Sequence, residues 1–163
     1  MNLKTNKYII ISFVATIICM IAIFMLSAQP ATESNSNSKM LINKLIDTSV
    51  KLSGDNLTEQ QKADFVDRVN SIAREFMHSA VFFLLGLFAQ ITAIGLFREY
   101  VLSSIVTFTF CVIYSFTDEL HQLFVPGRTF QLIDLCMDAI GALAAIALVV
   151  LIYIIKNHKK TAL

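Results

Sequence analysis

Residues 76–97 read FMHSAVFFLLGLFAQITAIGLF, an apolar run whose only ionisable side chain is His78. A helix crosses a hydrocarbon core of ~30 Å with ~20 predominantly apolar residues, so this run is long enough to span a bilayer. Outward from it, Val101–Thr117 and Phe130–Ile155 follow and Tyr8–Leu26 precedes, all of similar character. Lipid offers backbone amides no hydrogen-bonding partner, and the chain shows no ten-residue alternation of the barrel type, so all four segments are predicted to be helical. The predicted fold is all-α: a polytopic membrane protein with four transmembrane helices in a single domain, residues 1–163, and an extracytoplasmic loop, 27–75.

The composition agrees. The chain is 56% hydrophobic and 15% charged, with mean hydropathy +0.67, whereas soluble domains carry about 25% charged residues. A net charge of +1 leaves no basic surface able to drive nucleic-acid binding. Cys19, Cys111 and Cys136 all sit in apolar stretches without metal-ligand spacing, as small buried hydrophobes do. Lys4 and Lys7 before the first span resemble the basic start of a signal peptide. That span exceeds the ~7–15 residues of a signal h-region, and Met25–Pro30 offers no small-x-small cleavage site, so it is expected to stay as an anchor.

Orientation follows from Lys and Arg in short flanks. Lys4 and Lys7, Arg98 in the turn between spans two and three, and Lys156, Lys159 and Lys160 fall on one side of a four-span chain. Both termini are therefore expected in the cytoplasm. The outer loop opens with a polar linker, residues 32–38. Two amphipathic helices are predicted after it, roughly Lys39–Ser53, stopped by Gly54, and Glu59–Ala73, opened by a Thr58/Gln61 capping box and running on one face into span two. Both are expected to cover the bundle's outer end.

The ionisable residues gather at that end. Arg74, Glu75 and His78 open span two; Asp118, Glu119 and His121 close span three; Arg128, Asp134 and Asp138 open span four; Ser27 and Gln29 end span one. A carboxylate within hydrocarbon costs at least ~2.5–3.5 kcal/mol, so such groups normally turn inward, pair and mark function. Counted from Phe130, Asp138 is expected roughly 12 Å deep at ~1.5 Å per residue. Arg74 with His78, Asp118 with Gln122, and Asp134 with Asp138 are each spaced i, i+4, so three helix faces can converge on one pocket. An arginine, Arg74 or Arg128, is expected to pair with Asp134 or Asp138. Between Gly86 and Leu96, Val101 and Phe110, and Leu143 and Ile155 there is no ionisable residue except Tyr153; small residues Gly86, Ala89, Ala93, Gly141 and Ala145 sit in that half at close-packing spacing.

Phe24–Gln29, Arg74-x3-His78-x3-Phe82 with Leu85-Gly86, Asp118-Glu119-x-His121-Gln122-x-Phe124-x-Pro126-Gly127-Arg128, and Asp134-x3-Asp138-x2-Gly141 resemble the successive motifs of the VanZ-like family. Members are small bacterial integral membrane proteins of the cell envelope, and the name-giving member is linked to resistance to the glycopeptide teicoplanin. The resemblance implies that Gln29, Arg74, His78, Glu119, Gln122, Arg128, Asp134 and Asp138 occupy the family's polar positions.

Together these readings point to an outer-leaflet pocket for an anionic membrane lipid or lipid-linked cell-wall precursor. Arg74, Arg128, Gln122 and Gln29 are candidate binding residues, since arginine forks suit phosphate and carboxylate. Glu119, Asp134, Asp138 and His78 are candidate catalytic residues for proton transfer. A divalent cation held by the carboxylates is possible but unforced, because no metal-binding spacing fixes a geometry. No Ser or Cys sits in a nucleophile motif, which keeps open the alternative of a non-catalytic protein that binds a partner or shields an antibiotic target. A transporter is disfavoured by the relay-free halves and by only four spans.

Overall fold

The computed structural model describes residues 3–53 and 58–161. They form five helices and no strand: α1 (Leu3–Ser27), α2 (Ala31–Ser53), α3 (Glu59–Phe97), α4 (Tyr100–Gln122) and α5 (Leu132–Thr161). Four segments are long and apolar enough to cross a membrane: Lys7–Ser27, Phe76–Phe97, Tyr100–Gln122 and Leu132–Ile155. This is the architecture of a multi-pass membrane protein.

Two predicted boundaries move. Span three extends past Thr117 to Gln122, because Asp118, Glu119 and Gln122 continue the buried face of α4 and turn into the bundle. A hydropathy reading ends a span at its first carboxylate, whereas the helix continues while that carboxylate faces inward. The fourth spanning helix, α5, starts at Leu132, not Phe130, which places Asp138 six residues inside it, roughly 9 Å at ~1.5 Å per residue.

The polar stretch 32–38, predicted as a linker, is helical and belongs to α2, which begins directly after Pro30. Tertiary contacts override its weak propensity. The Asn70 amide donates to Asn35 at 3.3 Å, Lys39 and Lys62 pair with Asp67 and Asp47 at 2.6 Å each, and Ile46 and Val66 are buried. Gly54, the predicted stop, lies outside the described residues. The second amphipathic helix and span two are one 39-residue helix, α3. Its Thr58/Gln61 capping box is formed: Thr58 Oγ1 accepts from Gln61 N, and Gln61 Oε1 accepts from Thr58 N.

Helix α3 is the hub. It packs against every other helix, while among the described residues α1 and α5 do not meet and α2 packs on no helix but α3. The tightest approach is backbone to backbone. A Cβ added at Gly141 of α5 would lie 2.1 Å from the Ser79 carbonyl oxygen of α3, and one at Gly86 would lie 3.1 Å from Ala142 Cα. Small residues at such crossings let TM helices gain dispersion contacts that lipid cannot offer in exchange. Ile23, Phe82, Leu85, Cys111 and Ala142 form the core beside this crossing.

At the end of the bundle away from the carboxylates, α3 and α4 form a tight hairpin. Arg98 takes the left-handed conformation (φ 58°) with its N–H on Ile94 O, and Glu99 caps α4 by accepting from Val101 N and Leu102 N. Ser12 of α1 meets Thr92 of α3 at 2.9 Å.

Gly141→Ala should cost more than ~3 kcal/mol, at or above the upper range of overpacking, because the new methyl meets a carbonyl that cannot move without bending α3. Gly95→Ala should cost less than Gly141→Ala, since the atoms nearest the added Cβ belong to the Ile9 side chain and not to backbone, so a small shift of α1 relieves them, and alanine is the better helix former. Thermal unfolding in detergent compares the two. The two backbone N–H groups hold the Glu99 carboxyl below its ordinary value of 4.5, so the cap's contribution is complete above that pH and is lost as pH falls through the lower folded value. Glu99→Gln should remove that acid-side dependence from an unfolding titration.

Candidate functional site

The buried face of α4 is polar along its whole length: Ser103, Thr107, Cys111, Ser115, Asp118, Glu119 and Gln122, at helical spacing. Its other faces expose Leu102, Ile105, Val106, Ile113, Phe116 and Leu120. The last turns of this stripe meet the first turns of α5 and the segment of α3 around His78.

Four carboxylates converge there, all buried. Asp118 Oδ2 accepts from the Ser27 hydroxyl at 2.6 Å and from the Gln122 amide at 3.3 Å. Asp138 Oδ2 accepts from the Ser115 hydroxyl at 2.6 Å. Glu119 Oε2 accepts from Gln131 N at 2.8 Å, the amide just ahead of α5, where a negative charge also complements the helix dipole. His78 stands between the two aspartates of α5: its Nδ1 lies 3.6 Å from Asp138 Oδ1 and its Nε2 4.0 Å from Asp134 Oδ2. These are charge contacts, longer than hydrogen bonds. The second oxygens, Asp118 Oδ1, Glu119 Oε1, Asp134 Oδ1 and Asp138 Oδ1, are buried without a hydrogen-bond partner among the described residues.

The pinch at Gly141 sets this arrangement. Ser79 follows His78 directly, and Gly141 lies three residues after Asp138, so the closest approach of α3 to α5 is what brings the imidazole to the aspartates.

Arg128 enters from the α4–α5 loop. Gly127 takes φ 76°, a conformation suited to glycine, and the turn is tied by Arg128 N on Val125 O and by Ala31 N on Pro126 O. The guanidinium donates to Gln29 O at 3.0 Å, Leu26 O at 3.4 Å and Gln122 Oε1 at 3.4 Å. It thus binds the carbonyl-rich end of α1, where a cation is favoured, to the end of α4. Beside it, the Phe24 and His121 rings stack at 4.5 Å.

A cavity of about 270 Å³ lies between α1, α2 and α3. Ile23, Leu26, Met77 and Val81 line it with apolar surface; Ser27, Gln29, Asn35, Ser38, Asn70, His78 and Arg128 supply the polar groups. A smaller one of about 30 Å³ lies beyond Arg128 and Asn35 and is lined by Gln122, Gln131 and Asp134 among others. That is room for about one water molecule.

Of the residues singled out from sequence, His78, Glu119, Gln122, Arg128, Asp134 and Asp138 come together here. Gln29 reaches the site through its carbonyl and lines the larger cavity. The side chain of Arg74 lies outside the described residues. The described ion pairs of both aspartates are with His78, and Arg128 and Asp134 share the lining of the small cavity. Ser115 was missed, although it lies three and four residues before Asp118 and Glu119 on one helix face. Asn35 was hidden in the stretch read as a linker. Among the described residues no three His, Cys, Asp or Glu side chains are grouped closely enough to hold a metal ion by themselves.

None of the curated proteins and none of the solved structures compared matches the chain. The VanZ/LLP1 family matches residues 12–154, spanning α1 to α5 and every residue of the site. This membrane protein, with its four apolar helices and buried carboxylates, belongs to the VanZ/LLP1 family.

Proposed function

We propose that the chain is one membrane domain, residues 1–163, of the bacterial cytoplasmic membrane with both termini inside, and that its outer-leaflet cavity binds or modifies an anionic, lipid-linked envelope molecule. One observation carries this reading. Among the described residues the larger cavity is lined by Arg128 and His78 and by no carboxylate, while Asp134 and Asp138 stand directly behind the imidazole. A guanidinium fork suits a phosphate or carboxylate headgroup. The aspartates fix the orientation of the imidazole, and exchange of a proton with a bound headgroup requires one ring nitrogen to turn from its aspartate toward the cavity, the other staying paired. In this scheme Arg74, Arg128, Gln122 and Gln29 bind, and His78, Asp134 and Asp138 move the proton. Glu119 acts from behind, by holding the start of α5.

A second reading is a non-catalytic protein that binds a partner or shields an antibiotic target. The serine arrangement favours it: Ser27 and Ser115 each donate to a carboxylate and neither meets a histidine, so no activated hydroxyl nucleophile is assembled. Altered teicoplanin susceptibility is compatible with either reading.

Lipid and precursor profiling of a deletion strain should show one anionic species change in abundance, reversed by the wild-type chain. Asp138→Asn keeps the size of the side chain and its bond to Ser115 but removes the charge facing His78. If the site is catalytic, this variant should express normally yet restore less than about a tenth of the wild-type effect, as loss of general acid–base catalysis does. Full restoration by Asp138→Asn would leave the binding reading.

Arg128→Lys should reduce that restoration about tenfold or more while lowering unfolding stability by only ~1 kcal/mol, because an ammonium keeps the charge and one hydrogen bond but not the planar fork. A stability loss large enough to empty the membrane of protein would make Arg128 a structural clamp.

A further inference from the structure

Helix α1 is fastened to different neighbours along its length. Low in the bundle it belongs to α3: Ser12 meets Thr92, Ile9 lies over Gly95, and Ile23 packs with Phe82 in the core. Above Ile23 its described polar and ring contacts go to α4 and the loop after it. Phe24 stacks on His121, Ser27 donates to Asp118, and Arg128 holds the carbonyls of Leu26 and Gln29. Helix α1 therefore leans from α3 toward α4 as it rises, and the 270 Å³ cavity occupies the gap left on the α3 side.

The rim of that gap faces sideways. Leu26 on α1 and Met77 on α3 both line the cavity, yet remain 48% and 58% exposed. Above them α2 contributes Asn35 and Ser38 and, among the described residues, packs on α3 and on no other helix, so it lies over the gap from the α3 side. Polarity is ordered by height: apolar Ile23 and Val81 at the bottom, amides from Asn35 and Asn70 at the top, and Arg128 and His78 on the inner wall. At about 270 Å³ the space falls below the ~300–1,000 Å³ that encloses a drug-sized ligand. It can hold a headgroup and the start of a chain, and the remainder must lie outside.

The geometry points to a lateral lipid port: an amphiphile bearing a phosphate slides in from the bilayer between α1 and α3, sets its phosphate against Arg128 and His78, and leaves its hydrocarbon chain over Leu26 and Met77 in the membrane. The inference rests on the anionic-ligand reading above and adds the route and the lipid anchor. A soluble phosphate ester would use the same polar wall but gain nothing from the apolar rim.

The test uses the full chain in nanodiscs of neutral phosphatidylcholine, doped with phosphatidic acid that carries a diazirine in its acyl chain. After irradiation, labels mapped by mass spectrometry should concentrate on Leu26, Met77 and Val81, and unlabelled phosphatidic acid should suppress them. Met77→Trp, a change at an exposed rim position that leaves the core untouched, should cut this labelling about tenfold by obstruction while binding of soluble glycerol 3-phosphate persists. Arg128→Gln should cut both about tenfold through loss of the charge-assisted bonds. Labelling lost in Arg128→Gln but unchanged in Met77→Trp would mean access from above, overturning the port and sparing the anionic-ligand reading. Labelling and glycerol 3-phosphate binding both unchanged in Arg128→Gln would overturn the two together. Labels spread evenly over the exposed faces of α4 and α5, with no suppression, would show annular lipid only and overturn the port.

Discussion

The contact of Gly141 with the Ser79 carbonyl governs the carboxylate end of this molecule. Two helices can approach this closely only where one of them has no side chain, and the added Cβ that would sit 2.1 Å from the carbonyl shows how little room is left. The approach fixes the register of α3 against α5, and register decides which residues face each other. With it, His78 faces Asp134 and Asp138. Without it, two carboxylates would sit at membrane depth beside apolar surface, at several kcal/mol each. In a bilayer, where helix association draws no strength from the hydrophobic effect, this packing has to be supplied by shape.

The distribution of polarity follows from the same solvent. A soluble amphipathic helix hides its apolar stripe; α4 does the reverse, exposing leucine, isoleucine, valine and phenylalanine and hiding serine, threonine, cysteine and carboxylates. Small hydroxyl residues serve two purposes on such a face. Ser103 and Thr107 are buried at the lower levels, and Ser115 higher up donates to Asp138. The stripe changes from packing to chemistry about halfway along the helix, at Cys111, with no change in helical spacing. That continuity explains why the helix runs on through Asp118, Glu119 and Gln122.

Much of this was legible in the sequence because bilayer physics acts on sequence directly. Length and apolarity placed the four spans, and the small residues at 86, 141 and 145 marked close packing, although Gly141 was expected in the opposite half and its contact with Ser79 lies beside the carboxylates. The i, i+4 pairs put His78, Asp134 and Asp138 on facing surfaces. What was not legible depended on partners remote in sequence. Residues 32–38 read as linker by composition, and their helix exists because α3 lies alongside to bond Asn35 and pair with Lys39. Nothing in the sequence says how close α3 comes to α5, and that short distance is what sets an imidazole beside both aspartates. Arg128 holds the end of α1 and shares the lining of the small cavity with Asp134, while the side chain of Arg74, the other arginine expected there, lies outside the described residues.

Arg128 therefore joins two aspects of the molecule that the spans alone would leave independent. Its turn needs Gly127 at positive φ, and the same turn receives the start of α2 through Ala31 N on Pro126 O. Its side chain holds the end of α1 and the amide of Gln122, which in turn donates to Asp118. One three-residue segment thereby sets how far α1 leans from α3, where α2 begins its course over the gap, and how the carboxylate of α4 is satisfied. The guanidinium that closes this circuit also lines the cavity the circuit creates. An anion drawn to Arg128 would compete with the carbonyls of α1 for its donors. Its arrival would loosen the lean of α1, so occupancy of the cavity and its width are coupled through a single side chain.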